Sequence, residues 1–129
     1  MSNLGDERRN WLGDFDWAQI IELNLRICEK TGSFHGPTSD GHAPCRERWQ
    51  REHQKESTFR EMLEFLRECH RLAPFCFNNG NSFAAVAREI VMDLGKTASD
   101  AAILRSAAGH YVAGVLRDDE LDAILAGFQ

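Results

Sequence analysis

The sequence has no long hydrophobic run, and this absence excludes a membrane-spanning helix. Its longest uninterrupted apolar stretches are only a few residues, such as 83–87, whereas a bilayer span needs about 20. Near the N-terminus, the charged residues at 6–9 stand where a secretory signal would have its apolar core. We therefore expect a protein that stays in the cytoplasm and has no membrane partner.

The sequence also lacks the short motifs that identify common enzymes. It contains no G-x-G-x-x-G or G-x-x-x-x-G-K-[ST] pattern for a nucleotide and no G-x-S-x-G pattern for a hydrolase. None of the five histidines has an acidic residue three positions before it, which excludes the Glu-x-x-His pairs of di-iron bundles. We therefore expect no cofactor, and our leading hypothesis is a non-enzymatic protein-interaction or regulatory module.

Positive charge is not concentrated in any region of the chain. The net charge is −5 and no broad cationic face is indicated, so nucleic acid is not an expected partner. The chain has 129 residues, of which 43% are hydrophobic and 27% charged, as one globular domain would have. The four cysteines are expected to be free thiols, since disulfides are uncommon in a reducing compartment.

Apolar residues at helical spacing fill most of the chain. They predict an all-α fold, a single domain over 1–129 built as an up-and-down bundle of about four main helices plus one or two short ones. The residues expected to cap the helix starts are Asp16, Thr58, Ser82 and Thr97, and Asp118 or Asp119 is expected to open the last short helix. The expected stop signals are Gly32, Pro74 and Gly95.

Residues 32–44 interrupt this pattern with three glycines and two prolines, which predicts a flexible loop. His35, His42 and Cys45 lie in or beside it, so a zinc ion is one hypothesis, with Cys28 or His53 as a fourth ligand. The preferred interpretation is two solvated histidines and a small core thiol. The reason is that the paired cysteines of structural zinc sites are missing.

The segment 45–56 is polar around a single tryptophan. Its only clearly apolar side chains are Cys45 and Trp49, too few to hold an isolated helix on a core. Trp49 either folds back as a lone anchor or stays exposed as the centre of an interaction patch. The basic residues around such a patch are Arg46, Arg48, Arg51 and Lys55. The expected partner is another protein or a second copy of the chain.

Arg105 and His110 form an Arg-x4-His pattern. The pattern resembles the Arg-x4–6-His ribonuclease motif of HEPN helical bundles, and a second copy occurs at Arg48 and His53. The resemblance implies a dimer cleft in which the histidine assists proton transfer and the arginine stabilises phosphate charge. It covers two residues and the helical class. A helical hydrolase, either RNA-cleaving or zinc-dependent, is therefore the alternative function.

Cys69 and His70 are the one adjacent cysteine–histidine pair. On a helix their side chains point about 100° apart, so they do not share a face. Cys69 is expected in the core and His70 at its edge. A nucleophile–base pair built on them would need Cys76 or a residue from another helix.

Overall fold

The computed structural model describes residues 3–129 and confirms the all-α prediction. The chain is 63% helical and forms a compact helical bundle. After a short 3-10 helix at Leu4–Asp6, the α-helices of the described residues are α1 (Trp17–Thr31), α2 (His42–Glu52), α3 (Phe59–Leu72), α4 (Asn79–Met92), α5 (Ala98–Val112) and α6 (Asp118–Leu125). None of these helices is both long and apolar enough to cross a membrane.

Side-chain caps start α1, α3 and α5 where the sequence predicted them. At α1, the Asp16 carboxylate accepts a hydrogen bond from the Gln19 N–H at 2.9 Å, and the Gln19 side chain accepts one from the Asp16 N–H at 2.7 Å. Thr58 and Glu61 form the same reciprocal box at α3. The Thr97 hydroxyl accepts from the Asp100 N–H at α5. These bonds satisfy backbone donors that the first helical turn leaves free.

Two of the predicted stop signals act in different ways. Gly32 follows α1 in the left-handed conformation, with φ at 69°, which glycine adopts without a Cβ clash. At α3 the helix stops at Leu72, and Ala73 is left-handed with φ at 51°. The ring of Pro74 disfavours helical backbone at Ala73, so the chain must turn there.

The predicted loop 32–44 is shorter in the structure, because α2 already begins at His42. Pro44 falls in the first turn of α2, where a helix needs no N–H donor, so the proline is tolerated. The remaining loop is tied to the chain after α3. The Thr38 N–H donates to the Pro74 carbonyl at 3.0 Å, and the Cys76 N–H donates to the Gly36 carbonyl at 2.9 Å.

The prediction that Ser82 caps a helix is wrong. α4 begins at Asn79, four residues before the start that a Ser82 cap would give, and Ser82 is fully buried inside it. The Ser82 hydroxyl accepts a hydrogen bond at 3.0 Å from the side-chain amide of Asn24, which also donates to the Phe77 carbonyl. Ser82 therefore joins α4 to α1, a role that depends on a residue 58 positions away.

α4 and α5 form the most extensive helix pair, and small side chains allow their close approach. Ala107, Ala108 and Gly109 of α5 are all buried. A Cβ on Gly109 would lie 2.6 Å from the guanidinium of Arg88, which crosses α5 at this point. The small residues of α5 therefore face a helix of the same chain.

One feature of the fold was not predicted at all. The two-residue strand β1 (Arg8–Arg9) pairs antiparallel with β2 (Ser57–Thr58), just before α3. The indole Nε1–H of Trp11 reinforces the pair by donating to the Ser57 carbonyl at 2.9 Å. This pairing holds the N-terminal segment against the connection between α2 and α3.

Candidate functional site

A cleft of about 340 Å³ lies between α2, the connection that follows it, and one face of α3. We call it the α2–α3 cleft. Its lining residues are Leu12, Arg48, Glu52, Lys55, Glu56, Ser57, Glu61, Met62, Glu64, Phe65 and Glu68. Two of the basic residues singled out in the sequence, Arg48 and Lys55, are among them, whereas Arg46 and Arg51 are not.

Trp49 fixes the wall of the cleft that α2 provides. Its indole is fully buried, and its Nε1–H donates to the Phe15 carbonyl at 2.9 Å. The ring also packs against Phe65 and Phe83, with centroids 5.6 and 6.1 Å away. The interpretation of Trp49 as an exposed patch centre is therefore wrong. The alternative, a lone anchor, is the one observed, because a backbone carbonyl satisfies the indole donor.

The basic residues of the segment do not form a free cationic ring. Arg48 forms an ion pair with Glu68 on α3. Arg51 and Lys55 both pair with Glu52, at 3.2 and 3.5 Å. The side chains of all three are accompanied by carboxylates, so the surface of this segment carries both signs of charge.

The wall that α3 provides is acidic. Glu61, Glu64 and Glu68 are three and four positions apart, a spacing that places them along one face of a helix. With Glu52 and Glu56 they make five carboxylates, against the two cations Arg48 and Lys55 in the lining. These carboxylates surround an apolar floor to which Phe65, Met62 and Leu12 contribute.

Hydrogen bonds keep two of these carboxylates ionised. The Thr58 N–H and hydroxyl hold the pKa of Glu61 below its usual value, and the positive charge of Arg8 lowers this pKa further. A hydrogen bond from Arg51 lowers the pKa of Glu52, with a further contribution from Lys55. A carboxylate held in its charged form attracts cations and is a poor proton donor at neutral pH.

The position of Arg48 indicates which kind of chemical group the cleft can bind. Its guanidinium carbon lies 5.7 Å from the centre of the Phe65 ring while the same group pairs with Glu68. An aromatic face next to a carboxylate is a favourable environment for a guanidinium or ammonium group. The arrangement can therefore bind a cationic side chain, and among the described residues no histidine or cysteine lines the cleft.

The three residues of the zinc hypothesis do not converge on one point, although the rings of His35 and His42 both pack against Phe75. The His35 Nδ1 lies 2.9 Å from the Asn24 side-chain oxygen. The His42 ring packs against Trp17 and Phe75, and Cys45 is buried beside Cys69. Within residues 3–129, no group of three or more His, Cys, Asp or Glu side chains is placed to hold a metal ion. The zinc hypothesis for His35, His42 and Cys45, which was the less favoured alternative, is therefore wrong.

The proposed fourth zinc ligands are also engaged elsewhere. The Cys28 thiol is buried, with its sulfur 3.6 Å from the Asn24 side-chain oxygen. The Nδ1 of His53 lies 2.8 Å from the Trp49 carbonyl. Both residues thus take part in local packing around α1 and the end of α2.

Arg105 and His110 lie on the exposed surface of α5. Five positions on a helix correspond to about 140° around its axis, so the two side chains do not converge. Arg105 contacts the Met92 sulfur at 3.7 Å, and His110 lies 3.4 Å from the Ser106 hydroxyl. In the second copy of the motif, His53 is buried. A shared site between two copies, as the HEPN resemblance implies, stays a prediction.

Sequence reasoning noted Cys76 but missed its surroundings. His70 and the exposed Cys76 line one shallow pocket at the start of α4, whereas Cys69 is buried and burial raises its pKa. The His70 Nδ1 lies 2.9 Å from the Val112 carbonyl, so this nitrogen carries the ring proton of neutral His70. The pairing of loop and helix in this pocket depends on tertiary contacts and has no local sequence signal.

Comparisons with protein-family models, with curated proteins and with solved structures gave no match to this chain. Aromatic, acidic and basic side chains meet in the α2–α3 cleft. A second, smaller cleft, lined by Phe15, Glu22, Arg26 and Glu89 among others, also combines these side-chain types.

Proposed function

We propose that the protein is a small cytoplasmic, non-enzymatic interaction module that binds a segment of a partner protein in the α2–α3 cleft. The observation that carries this proposal is the convergence of Phe65 with carboxylates and cations in one preformed groove. Ligand sites commonly combine an apolar floor with a few placed polar groups. The cleft has both components.

The side chains of the cleft favour binding over catalysis. Its titratable groups are glutamates, one lysine and one arginine. The pKa values of Glu52 and Glu61 are lowered by hydrogen bonds, which leaves both without a proton to donate at neutral pH. Ser57 also lines the cleft, but no histidine lines it to act as the general base that a serine nucleophile requires.

The walls of the cleft are preorganised. Trp49 anchors α2, and the Thr58–Glu61 capping box fixes the first turn of α3. The β1–β2 pair holds the connection between these helices. A partner that binds here has little protein to order, which lowers the entropic cost of association.

A charge-matched pair of variants tests the proposal. Immobilised wild type, Glu64→Lys in the cleft and Glu89→Lys on the exposed face of α4 are used to capture proteins from a cell extract. Each captured protein is then purified and titrated against all three. We expect a partner whose affinity falls at least tenfold, about 1.4 kcal/mol, with Glu64→Lys and stays unchanged with Glu89→Lys.

Two outcomes would contradict the proposal. A partner that binds the three proteins equally would place the interaction on another surface. A solution mass that shows only self-association, unchanged by Glu64→Lys, would replace a partner protein with a second copy bound elsewhere. Far-UV circular dichroism of the variants checks that the lysine substitutions leave the helical fold intact.

A further inference from the structure

We propose that the segment received by the α2–α3 cleft is cationic, and that one of its arginines takes the position of Arg48 between Phe65 and Glu68. This inference rests on the proposed function, because it assigns the chemistry of the segment that the same cleft receives. Arg48 is then an internal competitor for the partner.

The lining of the cleft contains more acidic than basic side chains. Five of its lining residues are glutamates, and two are cations. Each glutamate of the α3 wall already pairs with an arginine of this chain: Glu61 with Arg8 at 3.7 Å, Glu64 with Arg60 at 2.9 Å, and Glu68 with Arg48. These three glutamate side chains are 45–58% exposed, and Glu56 has no ion pair among the described residues. Exposed ion pairs contribute little to stability, since solvent screens them. A partner's cations can therefore replace the chain's own at small cost.

The spacing of the glutamates on α3 limits the spacing of the cations that can face them. Glu61, Glu64 and Glu68 span seven positions of α3, which corresponds to roughly 10 Å along the helix axis. An extended segment rises about 3.3 Å per residue, so alternate side chains on one side lie roughly 7 Å apart. Two arginines separated by one residue thus match the rise of roughly 6 Å between Glu64 and Glu68, which is part of this wall.

The Arg48 side chain occupies the position that we assign to an arginine of the partner. Its guanidinium rests over the Phe65 ring and pairs with Glu68, but the side chain is still 39% exposed. Because Trp49 holds the backbone of α2 in place, only the flexible Arg48 side chain needs to move for this position to become free. The chain itself thus demonstrates that a guanidinium fits between the ring and the carboxylate.

Three properties follow for the partner segment. Its guanidinium groups face Glu64 and Glu68, and the aliphatic parts of its side chains cover Phe65. Acidic or phosphorylated segments are repelled by the five glutamates. Since the attraction is largely electrostatic and the cleft is open to solvent, added salt weakens binding.

Fluorescence anisotropy with two labelled six-residue peptides tests the inference. One alternates arginine with leucine, and the other alternates glutamate with leucine. We expect the arginine peptide to bind wild type at least tenfold more tightly than the glutamate peptide. Glu64→Gln and Glu68→Gln should each weaken it at least threefold, whereas Glu89→Gln, the matched control on α4, should not.

Arg48→Ala supplies the decisive arm. Removing an internal competitor should strengthen binding of the arginine peptide about threefold to tenfold, while a purely structural role for Arg48 would not raise the affinity. An unchanged or lower affinity overturns the assignment of Arg48. Equal binding of the two peptides, or equal effects of Glu64→Gln and Glu89→Gln, overturns the cationic segment.

The two proposals fail in distinguishable ways. If the extract yields a partner that depends on Glu64 but its binding segment contains no cations, the function stands and the cationic inference is wrong. If the arginine peptide fails and no captured protein depends on the cleft, the proposed function is wrong as well.

Discussion

At the scale of single residues, one tryptophan holds α2 on the molecule. The Trp49 indole is fully buried, and its nitrogen donates to the Phe15 carbonyl. Apart from Cys45, α2 buries no other residue. Trp49 is therefore the largest buried contact that holds the outer wall of the α2–α3 cleft.

Replacing this anchor should be costly. We expect Trp49→Ala to lower the free energy of unfolding by about 3 to 5 kcal/mol, the range for removing a large aromatic side chain from a core. Trp49→Phe, which keeps one aromatic ring but loses the second ring and the indole donor, should cost less. Denaturant titration measures both, and a loss below about 0.5 kcal/mol for Trp49→Ala would mean that α2 is held in another way.

The surroundings of His42 predict how the stability of the fold depends on pH. Its ring packs edge-on against Trp17 and Phe75, and its buried Nδ1 has no hydrogen-bond partner. Burial lowers the pKa of His42 below its usual value of 6.5, and the charge of Arg46 lowers it further. The folded state thus favours the neutral ring.

This shift has a definite sign in the dependence of stability on pH. The unfolded chain binds a proton near pH 6.5 and the folded chain at lower pH, so protonation favours unfolding. The stability that the folded chain gains with a neutral His42 is fully present above pH 6.5 and is lost as the pH falls below 6.5. We expect His42→Gln to reduce the pH dependence of the unfolding free energy between pH 7.5 and about 5.5. Equal slopes in wild type and His42→Gln would contradict the assignment.

At the scale of elements, α2 begins against the end of α3. A Cβ on Gly41 would lie 2.0 Å from the Leu72 carbonyl oxygen and 2.5 Å from that of Ala73. Thr38 holds the two segments together, because its hydroxyl donates to the Ala73 carbonyl at 2.6 Å and accepts from the Gly41 N–H. Only glycine allows this approach, and the approach sets where α2 starts.

Gly41→Ala should therefore force the two helices apart. We expect the unfolding free energy to fall by about 1 to 3 kcal/mol, as it does at other overpacked sites. Ser39→Ala, two residues earlier on the exposed side of the same loop, is the control and should stay within about 0.5 kcal/mol of wild type. If both variants melt like wild type, the contact between the start of α2 and the end of α3 is not as described.

At the scale of the whole molecule, one continuous core joins the helices to the N-terminal segment. The buried cluster includes Leu4 and Trp11 from that segment, Ile20 of α1, Phe83 of α4 and Leu121 of α6. The three tryptophans all belong to it. We expect far-UV circular dichroism and tryptophan fluorescence to give coincident unfolding midpoints, as a single cooperative domain requires. Separate midpoints would contradict the single-domain prediction.

Helix starts and stops were predictable because their causes are local. Asp16 reaches Gln19 and Thr58 reaches Glu61 within one turn, so the capping chemistry is visible in four consecutive positions. The periodicity of apolar residues predicted the all-α class for the same reason. The sequence by itself thus determined which segments are helical and where most of them begin.

The site was decided only by the tertiary structure. Whether Trp49 is an anchor depends on the Phe15 carbonyl 34 positions away, and whether Ser82 is a cap depends on Asn24. The acidic wall of α3 meets Arg48 because the anchor and Gly41 place α2 beside it. Local patterns carry no information on which distant groups share a surface, because burial and long-range hydrogen bonds select these neighbours as the chain packs.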